Sequence, residues 1–218
     1  MTISHDLKNY IGATLSAHEL LSIREPAWKE NKTVKIISDS TKKALHLLKD
    51  ILYMNKMELD INNIQLTKND INAAILSTME DMKLIANRKN IEIQEIYHPK
   101  PIYCMINNDK FHRVLNNLII NAIKFTPKDG KITIKTRSEG GFALINIIDT
   151  GIGMDKKLIT DLFKQYTKSG RKGTDGEEST GLGLSIVKTI LNKHNATIDI
   201  TSEEGKGSDF LIKIPKVD

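Results

Sequence analysis

The stretch NLIINAIKF, residues 117–125, places two asparagines and a lysine at helical spacing in an otherwise apolar run. Asn117 and Asn121 are four residues apart, so their amides share one face of a helix, and Lys124 can reach the same side. Amide oxygens are hard ligands suited to Mg²⁺, and a lysine supplies a compact charge for phosphate. Taken alone, the stretch fits an ordinary polar helix face as well as it fits a metal and phosphate site.

The residues on both sides of this stretch predict a mixed α/β unit that begins near residue 61. A helix is predicted from Asp70 to about Arg88, capped by Asn69 or Asp70, and another from a cap at Asn108 or Asp109 to Phe125. The predicted strands are Ile64 to Thr67, Ile91 to Tyr97, Ile102 to Ile106, Lys131 to Arg137 and Phe142 to Asp149. A short helix from Lys156 to Phe163, a helix from Leu182 to Lys193 and a hairpin through Glu204 to Gly207 follow. This order predicts one sheet under helices, an α+β sandwich.

Two glycine-containing segments of this unit are candidates for a nucleotide site. In Asp149-Thr150-Gly151-Ile152-Gly153, glycines let a backbone approach a ligand, and the aspartate can accept a hydrogen bond from an amino group such as that of adenine. In Thr180-Gly181-Leu182-Gly183, a helix begins whose free N–H groups suit an anion. The chain contains no G-x-x-x-x-G-K-[ST], and neither segment heads a βαβ unit, which excludes the two usual nucleotide folds.

The first 60 residues predict a separate two-helix hairpin. The first helix ends near Arg24 to Pro26, because the residue before a proline avoids helical geometry. The second spans about Trp28 to Met57 and carries a seam of residues three to four apart: Val34, Ile37, Thr41, Ala44 or Leu45, Leu48 and Ile51 or Leu52. A hairpin of this size cannot bury both apolar stripes alone. We therefore predict a homodimer in which two hairpins form a four-helix bundle.

One histidine of the first helix lies away from its apolar face. Ile3, Leu7, Tyr10, Ile11, Leu15 and Leu21 share one face at 100° per residue, and His5 points nearly opposite, with Asp6 beside it. Taken alone, an exposed helical histidine is usually a solvated surface residue. Its meaning depends on the rest of the chain.

Composition narrows the classes of function. The chain has 218 residues, a net charge of +5 and a single cysteine, Cys104, which fits a reducing compartment. No arginine-rich arm or aromatic-interleaved basic stripe is present, so no nucleic-acid partner is expected. No apolar run is long enough to cross a bilayer, so no membrane contact is expected within this chain. Six scattered histidines and one cysteine offer no zinc spacing.

Together these segments resemble the sensor histidine kinases of two-component systems. Ser4 to Asn9 resembles their phosphoacceptor box, Asn117 to Phe125 their asparagine box, and Asp149 to Gly153 their first glycine box. Leu162 to Tyr166 is similar to the phenylalanine box, and Thr180 to Leu184 to the second glycine box. The boxes stand in the family's order and cover essentially the whole chain. The resemblance implies a dimerisation and phosphotransfer domain, residues 1–60, and a Bergerat-type ATP-binding domain, residues 61–218.

The resemblance assigns the chemistry of the first domain to three side chains. His5 is the expected phosphoacceptor, whose imidazole attacks the γ-phosphate of ATP, and Asp6 the expected general base. Asn9 is expected to position water or the groups of the receiver if the protein also acts as a phosphatase. An outward-facing histidine suits phosphoryl transfer from a separate domain. The expected function is autophosphorylation on His5, followed by transfer to an aspartate of a response regulator.

The resemblance also assigns the nucleotide site. Asn121 is the expected Mg²⁺ ligand, Asn117 and Lys124 are expected to hold phosphates or the waters of the metal, and Asp149 to bind the adenine amino group. The remaining residues expected to bind or enclose ATP are Phe125, Gly151, Gly153, Gly181, Leu182 and Gly183, under a lid of about Asp155 to Thr180.

Two other functions remain as alternatives. An ATP hydrolase similar to DNA gyrase has a glutamate one turn before the metal-binding asparagine, whereas this chain has Asn117, an amide that cannot act as a base. A degenerate ATP-binding scaffold or phosphorelay adaptor is expected to lose the asparagine or glycine boxes, which are all present. His5 stands close to the start of the chain, so we expect a catalytic fragment. The expected location is the cytoplasm, and a sensor or inner-membrane anchor would lie upstream.

Overall fold

A computed structural model of the chain describes residues 3–24, 31–59, 64–163, 172–177 and 182–217. The chain divides into two units, Met1–Asp60 and Ile61–Asp218. The role predicted for the first unit stays a prediction. None of the helices in the described ranges is long and apolar enough to cross a membrane.

The first unit consists of two packed helices, α1 (Ile3–Arg24) and α2 (Lys32–Leu59). Asn31 caps α2, because its side-chain oxygen accepts hydrogen bonds from the amides of Thr33 and Val34 at 2.9 and 3.3 Å. The start predicted for this helix, Trp28, lies outside the described residues. The predicted end of α1 at Arg24 agrees with the structure.

The seam of α2 differs from the predicted one at one position. Ile37 is 49% exposed, and Ser38 is buried in its place. The half-buried residues on either side of Ser38 are Val34, Thr41, Leu45, Leu48 and Leu52. Spacings of four, three, four, three and four residues place position 38 on the seam, since a heptad stripe alternates these steps. Hydrophobicity alone favoured Ile37, but helical phase selects the smaller serine.

Several large apolar side chains of this unit are exposed in the single chain. Two positions of the predicted α1 face, Ile11 and Leu15, are half-buried, whereas Tyr10 and Leu21 are exposed. Among the side chains of these helices that the structure describes, the large exposed apolar ones are Tyr10, Leu20, Leu21, Ile23, Ile36 and Ile37. The predicted dimeric bundle stays a prediction.

The described residues of the second unit form two sheets and four helices. Its strands are β1 (Thr67–Asp70), β2 (Glu92–Ile96), β3 (Tyr103–Ile106), β4 (Lys131–Glu139), β5 (Phe142–Asp149), β6 (Thr197–Glu203) and β7 (Gly207–Pro215). Its helices are α3 (Ile71–Asn87), α4 (Asn108–Phe125), α5 (Lys156–Asp161) and α6 (Gly183–Lys193). The main sheet has the order β2-β4-β5-β7-β6, and only its β2–β4 pair is parallel. The predicted mixed α+β architecture with a sheet and helices is confirmed, but β1 and β3 pair in a separate two-stranded sheet instead of joining the one sheet that was predicted.

Local signals predicted most element bounds within two residues, with two corrections. β1 begins at Thr67 instead of ending there, because its antiparallel partner β3 lies opposite Thr67 to Asp70. The cap of α4 is Asn107 instead of Asn108 or Asp109, since the Asn107 side chain accepts from the amide of Lys110 at 3.1 Å. The cap of α3 is Asp70, one of the two predicted, and it accepts from the amide of Asn72 at 3.1 Å.

The core of this unit lies between the helices and the main sheet. Helix α4 packs on α3, on α6 and on β5. All six apolar positions predicted for α4 are buried: Phe111, Val114, Leu115, Leu118, Ile119 and Ala122. The sheet contributes Ile132, Ile134, Ile145, Ile147, Ile212 and Ile214, each 0% exposed. This central position of α4 fixes the polar residues at its C-terminal end relative to three other segments.

Candidate functional site

The amide of Asn117 brings the middle of α4 next to the start of α6. Its Nδ2 donates to the carbonyl of Arg113 at 2.8 Å, which orients its Oδ1 away from that bond. A Cβ at Gly183 would lie 2.7 Å from this Oδ1, closer than real contacts of that kind. A larger residue at position 183 would therefore require the Asn117 side chain to move, and the structure brings Asn117 and Gly183, two of the predicted site residues, next to each other.

Asn121, one helical turn further along α4, is half-buried. Among the described residues, no hydrogen-bond partner contacts its side-chain amide. An amide oxygen without an internal partner fits a hard divalent cation whose other positions are filled by phosphate oxygens and water. No group of three or more histidine, cysteine, aspartate or glutamate side chains within the described ranges could hold a metal instead.

Asp149 ends β5 in a buried environment. Its side chain is 5% exposed, and its Oδ1 accepts a hydrogen bond from the amide of Gly151 at 2.8 Å. Burial raises the pKa of Asp149 to about 6; hydrogen bonds from the Gly151 and Ser208 amides oppose this rise, and the nearby charge of Asp209 adds to it. A buried carboxylate of this kind gains stability from an additional N–H donor, such as an exocyclic amino group.

The first glycine segment is packed against the C-terminal end of α4. The amide of Ile152 donates to the carbonyl of Phe125 at 3.0 Å. A Cβ at Gly151 would lie 2.5 Å from that carbonyl oxygen, and Gly153 has φ +61° with the carbonyl of Glu203 where a Cβ would stand. The two glycines are therefore required by close backbone approach at this corner, in addition to any role in binding.

Lys124 is more enclosed than its predicted phosphate role suggested. The residue is 8% exposed, and its ammonium lies 5.2 Å from the centre of the Phe125 ring. Residues 172–177 cover its stem, since a Cβ at Gly173 would lie 2.6 Å from the Cγ of Lys124. The amide of Thr174 also donates to the carbonyl of Lys124 at 3.0 Å.

Other predicted site residues are placed only in part. The backbone of His5, Asp6 and Asn9 belongs to α1, but their side chains lie outside the described part of the structure. Gly181 also lies outside it. Leu182 is 0% exposed and precedes α6 as its N-cap.

A buried lysine that sequence reasoning did not single out lies next to this site. Lys89 is 8% exposed and its ammonium donates to the carbonyls of Ile123 and Lys124 at the end of α4. No local pattern distinguishes it among the 32 lysines and arginines of the chain. Its partners are distant in sequence, so only the folded chain identifies it.

The chain belongs to the family of histidine kinase-, DNA gyrase B- and HSP90-like ATPases, whose model matches residues 106–218. Together with the relatives it matches, this shows the catalytic ATP-binding domain of a histidine kinase, and the resemblance drawn from the sequence is confirmed.

Three relatives illustrate the match. The chain is 31% identical to the autoinducer 2 sensor kinase/phosphatase LuxQ of Vibrio vulnificus, over 98% of this chain and 26% of that protein. It is 31% identical to the sensor histidine kinase YclK of Bacillus subtilis, over 98% of this chain and 45% of that protein. It is 28% identical to the sensor histidine kinase WalK of the same species, over 98% of this chain and 35% of that protein. The chain thus spans between about a quarter and under half of the length of these relatives.

Solved structures show the same fold. The catalytic domain of the histidine kinase ThkA is 25% identical with a TM-score of 0.62, covering 70% of this chain and 97% of that one. Full-length ShkA in complex with AMPPNP is 24% identical with a TM-score of 0.77, over 99% of this chain and 45% of that one. Acinetobacter baumannii AdeS is 22% identical with a TM-score of 0.67, and the match covers 100% of both chains.

Proposed function

We propose that this protein uses ATP to phosphorylate its own His5 and then passes the phosphoryl group to an aspartate of a response regulator. The observation that carries the proposal is the convergence of three distant segments at the second half of α4. Asn117 meets the start of α6 at Gly183, Asn121 lies one turn further along α4, and the Asp149 to Gly153 segment packs on the carbonyl of Phe125. These segments offer an amide metal ligand, helix N–H groups for anions and a carboxylate for an amino group.

The nucleotide fits this corner by the chemistry of its parts. The Asp149 carboxylate accepts from the adenine amino group, and the N–H groups at the start of α6 face phosphate oxygens. Bound Mg²⁺, held through Asn121, would supply charge neutralisation at the phosphates. A solved structure of similar fold, ShkA, was obtained with AMPPNP, which supports ATP as the ligand.

The phosphoryl transfer needs two groups from the first unit. An imidazole nitrogen of His5 attacks the γ-phosphorus, the bond from that phosphorus to the β–γ bridging oxygen breaks, and ADP leaves. Asp6 accepts the proton that the other ring nitrogen loses, so the phosphorylated ring ends neutral instead of positively charged. The phosphoryl group then passes to a receiver carboxylate, and His5 regains its lone pair and its proton.

Transfer is favoured over hydrolysis by Asn117. This amide donates to the Arg113 carbonyl and packs on Gly183. An amide cannot accept the proton of an attacking water, so the position lacks the base that a hydrolase of this superfamily requires. A degenerate scaffold is disfavoured because Asn117, Asn121, Asp149 and Gly183 are retained together.

The proposal includes a homodimer and the return reaction. The exposed apolar residues of α1 and α2 are covered if two copies form a four-helix bundle, and the 1–60 unit is then the dimerisation and phosphotransfer domain. LuxQ, a relative, is named a sensor kinase/phosphatase. Removal of phosphate from the same receiver, with Asn9 positioning water, is therefore part of the proposed function. We propose a cytoplasmic site of action, where ATP and receiver proteins are present.

The decisive experiment is incubation with γ-labelled ATP and Mg²⁺, comparing the wild type with His5→Gln and Asn121→Asp. We expect acid-labile, alkali-stable label on the wild type and none on either variant. His5→Gln should still bind ATP, since its nucleotide site is intact, which makes it the matched control for binding. Tight ATP binding without label, even after the helix upstream of His5 is extended, would replace the kinase by an ATP-sensing scaffold.

A further inference from the structure

Lys89 is a buried cation at the C-terminal end of α4. Its ammonium donates to the carbonyls of Ile123 and Lys124 at 3.1 and 3.3 Å. The last carbonyls of a helix have no intrahelical partner and carry partial negative charge, so a cation is stabilised there. Lys89 itself follows the end of α3, and it therefore links the ends of two helices.

The same ammonium also binds a segment more than 80 residues away in sequence. It donates to Oγ1 of Thr174 at 2.7 Å and to Oε1 of Glu177 at 3.1 Å, and the carboxylate of Asp175 lies 3.8 Å away. Four acceptors lie within 3.3 Å of an ammonium that has three protons, so every donor is used. Lys89 is thus a bridge between α4 and residues 173–177, which we term the 173–177 turn.

The 173–177 turn is internally closed and directs its carboxylate at Lys89. The amide of Gly173 donates to the carbonyl of Glu177 at 2.6 Å, and the amide of Asp175 donates to Oε2 of Glu177 at 2.9 Å. Gly176 supplies the positive φ, +82°, that the reversal needs. Burial opposes ionisation of Glu177, but the backbone amides and Lys89 outweigh it and hold the pKa of Glu177 below its ordinary value.

The turn lies directly on the asparagine-bearing helix. The amide of Thr174 donates to the Lys124 carbonyl at 3.0 Å, and the Thr174 hydroxyl lies 3.0 Å from the carbonyl of Thr126. Gly173 packs so closely on the stem of Lys124 that a Cβ there would lie 2.6 Å from its Cγ.

We propose that Lys89 is a positioning residue which fastens the 173–177 turn to the end of α4 and so holds Lys124 in place for the phosphates of the nucleotide. The proposal rests on the proposed ATP-dependent function. Lys89 touches no nucleotide in this role, and it acts through the turn. The adenine end, at Asp149, is held by β5 and the first glycine segment and does not depend on Lys89.

The test compares Lys89→Met with a matched control on the preceding helix, Lys83→Met. Lys83 is half exposed and pairs with Glu95 at 3.0 Å, so its loss removes an equal charge from the surface. Hydrogen exchange of residues 173–177, and the affinities for adenosine and for ATP with Mg²⁺, are measured on all three proteins. Loss of hydrogen bonds to a charged group predicts about tenfold faster exchange and about tenfold weaker ATP binding in Lys89→Met. Adenosine affinity should stay within about twofold, and Lys83→Met should match the wild type in all three measurements.

A second variant covers the case in which Lys89→Met fails to fold. Glu177→Gln removes the negative charge that faces Lys89. It should also weaken ATP binding more than adenosine binding, but by a smaller factor than Lys89→Met. The double variant should be no weaker than Lys89→Met alone, because both changes break one interaction. Equal losses of ATP and adenosine binding, or unchanged exchange in both variants, would overturn the positioning role while the proposed function stands. Absence of ATP binding in the wild type would instead overturn the proposed function and this role with it.

Discussion

The two units of this chain differ in how completely they bury their apolar residues. In the ATP-binding unit, isoleucines of the sheet are 0% exposed beneath α4, and the core is complete within one chain. In the two-helix unit, Ile23 is 71% and Leu20 61% exposed, on two helices that pack against each other. A sheet covered by helices on one face buries a whole layer of side chains between them, whereas two helices bury only the side chains along their line of contact. We therefore predict that a second surface covers the exposed apolar residues of the first unit.

The largest expected effect is loss of stability when a side chain is removed from the core of the ATP-binding unit. Phe111→Ala removes a 0%-exposed ring between α4 and its neighbours, and we expect it to lower the free energy of unfolding by about 3–5 kcal/mol. Leu84→Ala, at a 61%-exposed apolar position of the same unit, should change it by less than about 0.5 kcal/mol. Denaturant unfolding measures both. Similar losses for the two variants would mean that the second unit also depends on an outside surface.

The next largest effect concerns Asp149, the buried carboxylate of the ATP-binding unit. The pKa of Asp149 is raised from 3.8 to about 6, so between about pH 4 and pH 6 the folded state holds a proton that the unfolded state has released. Stability from this group is present below about pH 4 and is lost as the pH rises to about 6, a difference of about 3 kcal/mol. Asp149→Asn should remove this pH dependence, which comparison of the two unfolding curves between these pH values will measure.

Nucleotide binding sharpens the same prediction. A donor from the adenine amino group stabilises the ionised carboxylate, so adenosine affinity should rise with pH through about pH 6 and then level off. Adenosine is the appropriate ligand because it has no phosphate that titrates in this range. A flat profile in the wild type, or an identical rise in Asp149→Asn, would show that Asp149 does not bind the adenine.

The smallest expected effect is on dimerisation through the two-helix unit. Ile23→Glu places a charge in an exposed apolar patch, and burial of that charge in a dimer should raise the dimer dissociation constant at least about tenfold. Ser16→Glu, an exposed polar position of the same helix, serves as the matched control and should leave the constant unchanged. Light scattering across a concentration series reports the constants. A monomeric wild type would remove the second copy as the surface that completes this unit.

Local patterns predicted most of the elements because their signals are local. The six apolar positions of α4 repeat at helical spacing and all are buried, and Asp70 caps α3 through an amide two residues away. The same spacing placed Asn117 and Asn121 on one face. Glycine at 151 was expected to admit a ligand, and the structure shows that it also admits the carbonyl of Phe125. In α2 the helical type was predicted correctly, but the choice of Ser38 over Ile37 depended on phase against α1.

The sequence by itself determined the helix and strand types, the spacing of the asparagine and glycine segments and the family they belong to, because periodicity and turn chemistry act over a few residues. Only the tertiary structure decided which distant groups meet. Lys89 and Thr174 are 85 residues apart and share a hydrogen bond at the end of α4, and the raised pKa of Asp149 depends on the burial around it. Burial and charge neutralisation are sums over all neighbours in space, and the linear order of residues does not contain them.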